Sequence, residues 1–307
     1  MVLLTNELII MSTNTTRRAC SFLDKGGTGK TTSIAHLSVA LADAGESVLA
    51  IDLAGKQGDL TKHFGLWQQV REEINANADN DWPNIATVFE DRWAAIVDRL
   101  GSEVIDEMIY ETAEGIDLIP AHPSLDSVDN KLALIDTPKR YMLFDEFLTD
   151  HVDPRNEYSV ILIDLPGLTN NVTYNGLWAA RNVIAPVEMG TFESEQAAAL
   201  RDDIKLFGDR FDRDLQLIMV LPNKLDTRTK LDQAYLETFT EEYPDAIAKP
   251  VPQSQDIRNA AEAGQTLFAS NEPSKTARRA REAYQTNGEE LLRHIDATVP
   301  VRGEVDG

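Results

Sequence analysis

Short runs of apolar residues recur along the chain, separated by segments in which apolar positions repeat every three to four residues. Residues 47–53, 159–165, 181–187 and 215–221 are continuous apolar runs, and 19–23 is a shorter one. Runs of this length without alternation predict strands buried on both faces, as in a parallel sheet. Two further short strands are predicted at 116–120 and 247–251. Helical periodicity covers 31–44, 85–100, 103–112, 125–134, 139–148, 192–207, 227–242, 255–263 and 274–296. Strands that alternate with helices imply right-handed crossovers and an α/β fold: a doubly wound, mostly parallel sheet flanked by helices. The polar stretch 68–84 is predicted to leave the core. No internal repeat or low-complexity linker divides the chain, so one domain is expected over 17–298. Residues 1–16 are expected to form a loose extension and 299–307 a tail.

Composition narrows the class. The 307 residues are 42% hydrophobic, ordinary for a soluble globular protein. No apolar run approaches the roughly 20 residues needed to span a bilayer. Residues 1–10 are apolar but short, carry Glu7 and lack a basic leader, so they do not read as a signal peptide. Met11 and the polar run after it read as a cytosolic start, and the expected location is cytoplasmic. The lone Cys20 excludes a disulfide framework and is expected to be a small core residue. Acidic residues outnumber basic ones 51 to 29, a formal charge of −22. They are spread along the chain, as on the solvated acidic surface of a halophile's protein. Any contact with nucleic acid must therefore come from a local basic patch.

Chemistry concentrates after the first strand, in Asp24-Lys25-Gly26-Gly27-Thr28-Gly29-Lys30-Thr31-Thr32. A Gly-rich loop between a strand and a helix lets backbone N–H groups turn around a phosphate, and the helix N-terminus adds its positive dipole end. In this pattern Lys30 reaches the β- and γ-phosphates and Thr31 offers its hydroxyl to Mg²⁺. Asp164 ends an apolar strand and is followed by Leu-Pro-Gly, which suits a Mg²⁺-holding carboxylate. The alternatives are a chance Gly-rich turn and a simple strand-end residue.

Lys-Gly-Gly-x-Gly-Lys-Thr-Thr resembles the deviant loop of the ParA/MinD family of P-loop ATPases, and the resemblance extends over about residues 17–268. It implies ATP and Mg²⁺ as cofactors, and a dimer in which Lys25 reaches the nucleotide of the second subunit. Relatives end their second strand in Asp-x-Asp-Pro-Gln-Gly-Asn. Here Asp52 matches the first carboxylate, implying a metal-site role, while Ala54 replaces the second, which orients the attacking water. Either Asp59 or Gln57 substitutes, or hydrolysis is very slow. Asn223 stands where relatives read the base. Asn223-Lys224-Leu225-Asp226 also spells the guanine-reading pattern of GTPases, with adenine favoured by the rest of the match. A plain strand-to-helix turn is the third reading.

Among the family's branches, a single cysteine excludes the cluster-bridging and arsenite-pump types. The acidic C-terminal segment, broken by Pro300, argues against a membrane-binding helix. The ParA partition branch remains. It implies ATP-bound dimers that bind DNA without reading sequence, association with the nucleoid, and a ParB-like or other stimulating adaptor. The densest basic cluster is Lys275, Arg278, Arg279 and Arg281, with Arg258 nearby by resemblance; it is the candidate DNA surface. The competing readings are a non-hydrolysing ATP-dependent scaffold, a MinD-like positioning protein, and a metabolic P-loop ligase of the dethiobiotin-synthetase kind.

Overall fold

A computed structural model describes residues 16–55, 57–77, 82–226 and 228–298, and among these seven strands form one sheet. The strands are β1 (Arg17–Ser21), β2 (Val48–Asp52), β3 (Tyr110–Glu111), β4 (Asp117–Ile119), β5 (Val160–Asp164), β6 (Asn182–Val187) and β7 (Gln216–Pro222). Their order is β3-β4-β2-β5-β1-β6-β7, parallel throughout except for the antiparallel edge pair β3/β4. Successive side chains point to opposite faces, and both faces are buried. Ala19, Ala50, Leu162 and Ile184 join one core cluster, whereas Cys20, Leu49, Ile161 and Ile163 join the other. This double burial is why the strands read as unbroken apolar runs.

The helices are α1 (Lys30–Asp43), α2 (Asp59–His63), α3 (Trp67–Ala76), α4 (Arg92–Leu100), α5 (Leu125–Leu132), α6 (Lys139–Phe147), α7 (Asn171–Ala180), α8 (Thr191–Phe211), α9 (Lys230–Glu242), α10 (Gln255–Glu262) and α11 (Lys275–Thr298). The first core cluster takes Ile34 and Leu37 from α1 and Tyr284 and Leu291 from α11. The second takes Phe144 and Phe147 from α6, Leu177 from α7 and Phe239 from α9. Strand β1 lies between β5 and β6, so the connection from β5 to β6 passes across it. The loop after β1 therefore opens at a crevice on the carboxyl edge of the sheet, where such folds bind ligands.

Several expectations are corrected. The first strand begins and ends two residues earlier than expected, because Arg17 and Arg18 pair with Val160 and Ile161 of β5. Both arginines are anchored by acids: Arg17 by Asp296 of α11, Arg18 by Asp145 of α6. Helix α7 was not anticipated. It is buried on nearly every side, so it carries no amphipathic period, and Gly176 lowers its propensity. That glycine lets α7 approach β5: a Cβ there would lie 2.3 Å from a methyl of Leu165. The polar stretch after 67 leaves the core as expected, but it begins as a helix, α3, which buries only Val70. In place of a helix at 103–112 there are two short 3₁₀ turns and β3. In place of the strand expected at 247–251 there are isolated bridges, Val220 with Ile247 and, one residue past the range, Leu225 with Pro252, since prolines at 250 and 252 lack the N–H a ladder needs. The expected loose ends, 1–16 and 299–307, lie outside the described residues apart from residue 16.

Candidate nucleotide-binding site

The loop between β1 and α1 is built for close backbone approach. Gly27 and Gly29 have φ values of 81° and 93°, a region costly for residues with a Cβ. At Gly29 a Cβ would lie 2.1 Å from Asn223 Nδ2. Asn223, at the end of β7, is buried and spends its amide on the loop: Nδ2 donates to Thr28 O at 3.0 Å, and Oδ1 accepts from Lys224 N at 2.9 Å. Asn223, the expected base-reading residue, thus clamps the phosphate loop through its amide. Asp226 is occupied too, accepting from the backbone and guanidinium of Arg228, which hold its carboxyl down at about 2.

Lys30 opens α1 and lies 7% exposed, its ammonium donating to Leu23 O at 2.9 Å and to Lys25 O. Burial lowers its pKa, opposed by the carboxylates of Asp164 and Asp24. Gly167 passes directly over it; a Cβ there would lie 3.1 Å from Lys30 Nζ. Two more residues that sequence reasoning missed hold this loop. Lys224 donates to Gly27 O and to Glu188 Oε1, the latter at 2.6 Å, and Thr169 donates to Asp24 Oδ2 at 2.9 Å. The Leu-Pro-Gly after β5 was the only local signal for the Gly167–Thr169 segment.

Asp52 and Asp164 stand side by side at the ends of β2 and β5, paired in register. Both are fully buried. Thr31 donates to Asp164 Oδ2 at 2.7 Å, while Asp164 Oδ1 is buried with no partner. Burial and the neighbouring Asp52 raise the Asp164 pKa well above the usual carboxylate range, with Thr31 and Lys30 opposing. An orphaned carboxylate oxygen beside a hydroxyl fits Mg²⁺, a hard cation that keeps few protein ligands. Asp52 is different. Its Oδ1 accepts from Ala54 N at 3.0 Å, and its Oδ2 accepts from Thr61 N at 3.1 Å and Thr61 Oγ1 at 2.9 Å. Burial pushes it up to about 6 against those three bonds. The structure places Asp52 as the anchor of the 53–61 loop rather than as a free metal ligand. Asp59, at the first turn of α2, is half exposed and pairs with Lys62 at 3.1 Å.

The candidate basic surface divides. Arg258 on α10 and Lys275, Arg278 and Arg279 on α11 are exposed. Arg281 is not part of that set. Its guanidinium donates to the carbonyls of Leu267, Phe268 and Ser270 and lies 5.4 Å from the Phe268 ring centroid. It closes a turn because the last carbonyls of that segment have no helix to continue into.

Comparison with known proteins identifies the family. Residues 19–217 match the AAA domain family. The sporulation initiation inhibitor protein Soj of Bacillus subtilis is 27% identical over 254 residues, covering 82% of this chain and 90% of Soj. Among solved structures, cobyrinic acid a,c-diamide synthase from Mycobacterium smegmatis with bound ADP and magnesium superposes with a TM-score of 0.68 at 24% identity, covering 92% of this chain and 96% of that one. A putative plasmid partition protein from Borrelia burgdorferi bound to AMPPNP gives 0.65 at 18% identity, covering 92% and 100%. At those identities the structures attest to the shared fold alone. With its early Lys25, its Gly-Lys-Thr loop and a matched region spanning most of the described sheet, the chain belongs to the AAA domain family, as one of the ParA/MinD-type P-loop ATPases.

Proposed function

We propose that the protein is an ATP-switched, Mg²⁺-dependent partition-type ATPase that dimerises around nucleotide and holds DNA, or a cargo on DNA, through the exposed basic face of α10 and α11. The observation that carries the reading is the phosphate loop itself: Lys30 buried at the start of α1, Thr31 bonded to Asp164, and Lys25 on the outer turn of the same loop. Loop N–H groups and the Lys30 ammonium would bind the phosphates. Thr31 and Asp164 would hold Mg²⁺, which when bound offsets charge on the β- and γ-phosphates. The packing of Gly167 on Lys30 and the bond from Thr169 to Asp24 support a segment after β5 that responds to the γ-phosphate.

Lys25 is the residue assigned to the second subunit's nucleotide. Sedimentation with ATP and Mg²⁺ tests this. Wild type should dimerise, Lys25→Ala should bind ATP as a monomer, and Lys30→Ala should lose ATP. A Lys25→Ala dimer as tight as wild type would remove the sandwich. Turnover is expected to be slow, because the Ala54 side chain offers no acceptor to a water and Asp59 is engaged with Lys62. A ParB-like or other adaptor would supply the stimulus.

A further inference from the structure

Behind the phosphate loop, on the face that carries α11, lies a buried ring that the nucleotide site does not use. His36 is fully buried two turns into α1. Its Nε2 accepts from Leu267 N at 3.1 Å, so that nitrogen carries no proton; Nδ1 holds it and donates to Thr32 O at 2.8 Å. Only the neutral Nδ1–H tautomer satisfies both contacts. The ring stacks on Tyr284 of α11, centroids 4.7 Å apart, and meets His63 of α2 edge-on at 5.4 Å. One side chain thus touches α1, α2, α11 and the turn at Leu267–Ala269.

The hydrogen bonds form a continuous line. Thr32 adjoins Thr31, the hydroxyl that faces Asp164. From Thr32 O the line runs through His36 to Leu267 N, and Leu267 O accepts from Arg281, two residues beyond Arg279 on α11. The far side of the turn is fixed independently, since Thr266 N and Oγ1 both donate to the Glu114 carboxylate. These contacts join the first turn of α1 to the helix bearing Lys275, Arg278 and Arg279 through packed, hydrogen-bonded groups. We propose that His36 is the positioning residue that ties the phosphate loop to the basic face of α11, so that loading the loop with nucleotide sets the orientation and rigidity of that face. This rests on the reading of the loop as the nucleotide site, and names the element through which the site regulates polyanion binding.

The test has two arms that fail separately. In the first, amide hydrogen exchange is followed on the full chain with and without ATP and Mg²⁺. Nucleotide should slow exchange at the Leu267 amide and along 275–281 in wild type, and fail to do so in His36→Leu, whose side chain fills space but cannot accept Leu267 N–H. His36→Gln, which can accept and donate, should restore part of the response. ¹⁵N spectra of wild type should report a neutral Nδ1–H ring at neutral pH. In the second arm, the affinities of wild type for a DNA duplex are measured with and without ATP, and those for ATP with and without duplex. The two ratios must agree, since coupling is reciprocal. His36→Leu should bind ATP within about threefold of wild type while the ratio falls at least fivefold, within the usual range of coupling factors. Nucleotide that leaves exchange at 267–281 unchanged in wild type would overturn the proposal, whatever the variants do. An unaltered coupling ratio in folded His36→Leu would overturn it as well. A normal exchange response with no duplex retention would instead uphold the relay and count against DNA as the bound polyanion.

Discussion

Asp52→Asn isolates the energetic role of the buried carboxylate at the end of β2. In the folded protein this group titrates at about 6, pushed up by burial, against an ordinary value of 3.8. A raised carboxylate means that the folded state holds more protons than the unfolded state between those two values. Stability then falls as pH rises through that window. The cost is absent well below 3.8 and complete above about 6, where it reaches about 3 kcal/mol at 1.36 kcal/mol per unit. Between pH 5 and pH 7.5 the expected share is on the order of 1 kcal/mol, roughly a tenfold change in the unfolding constant. Asparagine cannot ionise, and it also places an N–H₂ against Ala54 N–H or Thr61, at a cost of about 1–3 kcal/mol that does not vary with pH. The difference in unfolding free energy between wild type and Asp52→Asn should thus move by on the order of 1 kcal/mol in the variant's favour from pH 5 to pH 7.5, and loss of the Asp52 charge beside Asp164 acts in the same direction. Urea denaturation of both proteins at the two pH values, without nucleotide or Mg²⁺, measures it. A difference that stays constant with pH would mean that the bonds from Ala54 and Thr61 fully offset the burial of the charge, and the reasoning fails.

Other consequences are as direct. Gly29→Ala forces a Cβ onto Asn223 at a left-handed position; about 1–2 kcal/mol of backbone strain and about 1 kcal/mol for the lost Asn223 bond should appear in denaturation, and an unchanged midpoint would refute the clamp. Arg278→Glu with Arg279→Glu should weaken duplex retention and flatten its salt dependence by about two counterions, whereas Arg281→Ala should lower thermal stability by about 1–3 kcal/mol through the stranded carbonyls of 267–270; an Arg281→Ala protein as stable as wild type would return that arginine to the surface set. Ala54→Asp should raise phosphate release if the 53–61 loop keeps its path, and a fast wild-type rate abolished by Asp59→Ala would mean the acceptor had moved to Asp59.

The sequence by itself determined whatever depends on neighbouring residues. The phosphate loop was legible because its glycines, Lys30 and Thr31 follow one another between a strand and a helix, and their geometry is local. The parallel sheet was legible because strands buried on both faces leave unbroken apolar runs, and Asp164 stood out as the charge that ends one. Tertiary structure decided how the side chains are used. Whether Asp52 faces a metal or the loop depends on Thr61, nine residues on, and Ala121 N in turn bonds the Thr61 hydroxyl from the end of β4. Arg281 looked like one more cation in a basic cluster until the turn at 267–270 supplied three carbonyls for it. Helix α7 was hidden because burial on nearly all sides removes the period that marks a surface helix. His36 gave no signal at all, since a histidine inside an apolar helix acquires its meaning from Leu267 and Tyr284, more than 200 residues away. Local pattern specifies backbone conformation, but a polar side chain's role is set by the partner that satisfies it, and long-range packing alone brings that partner within reach.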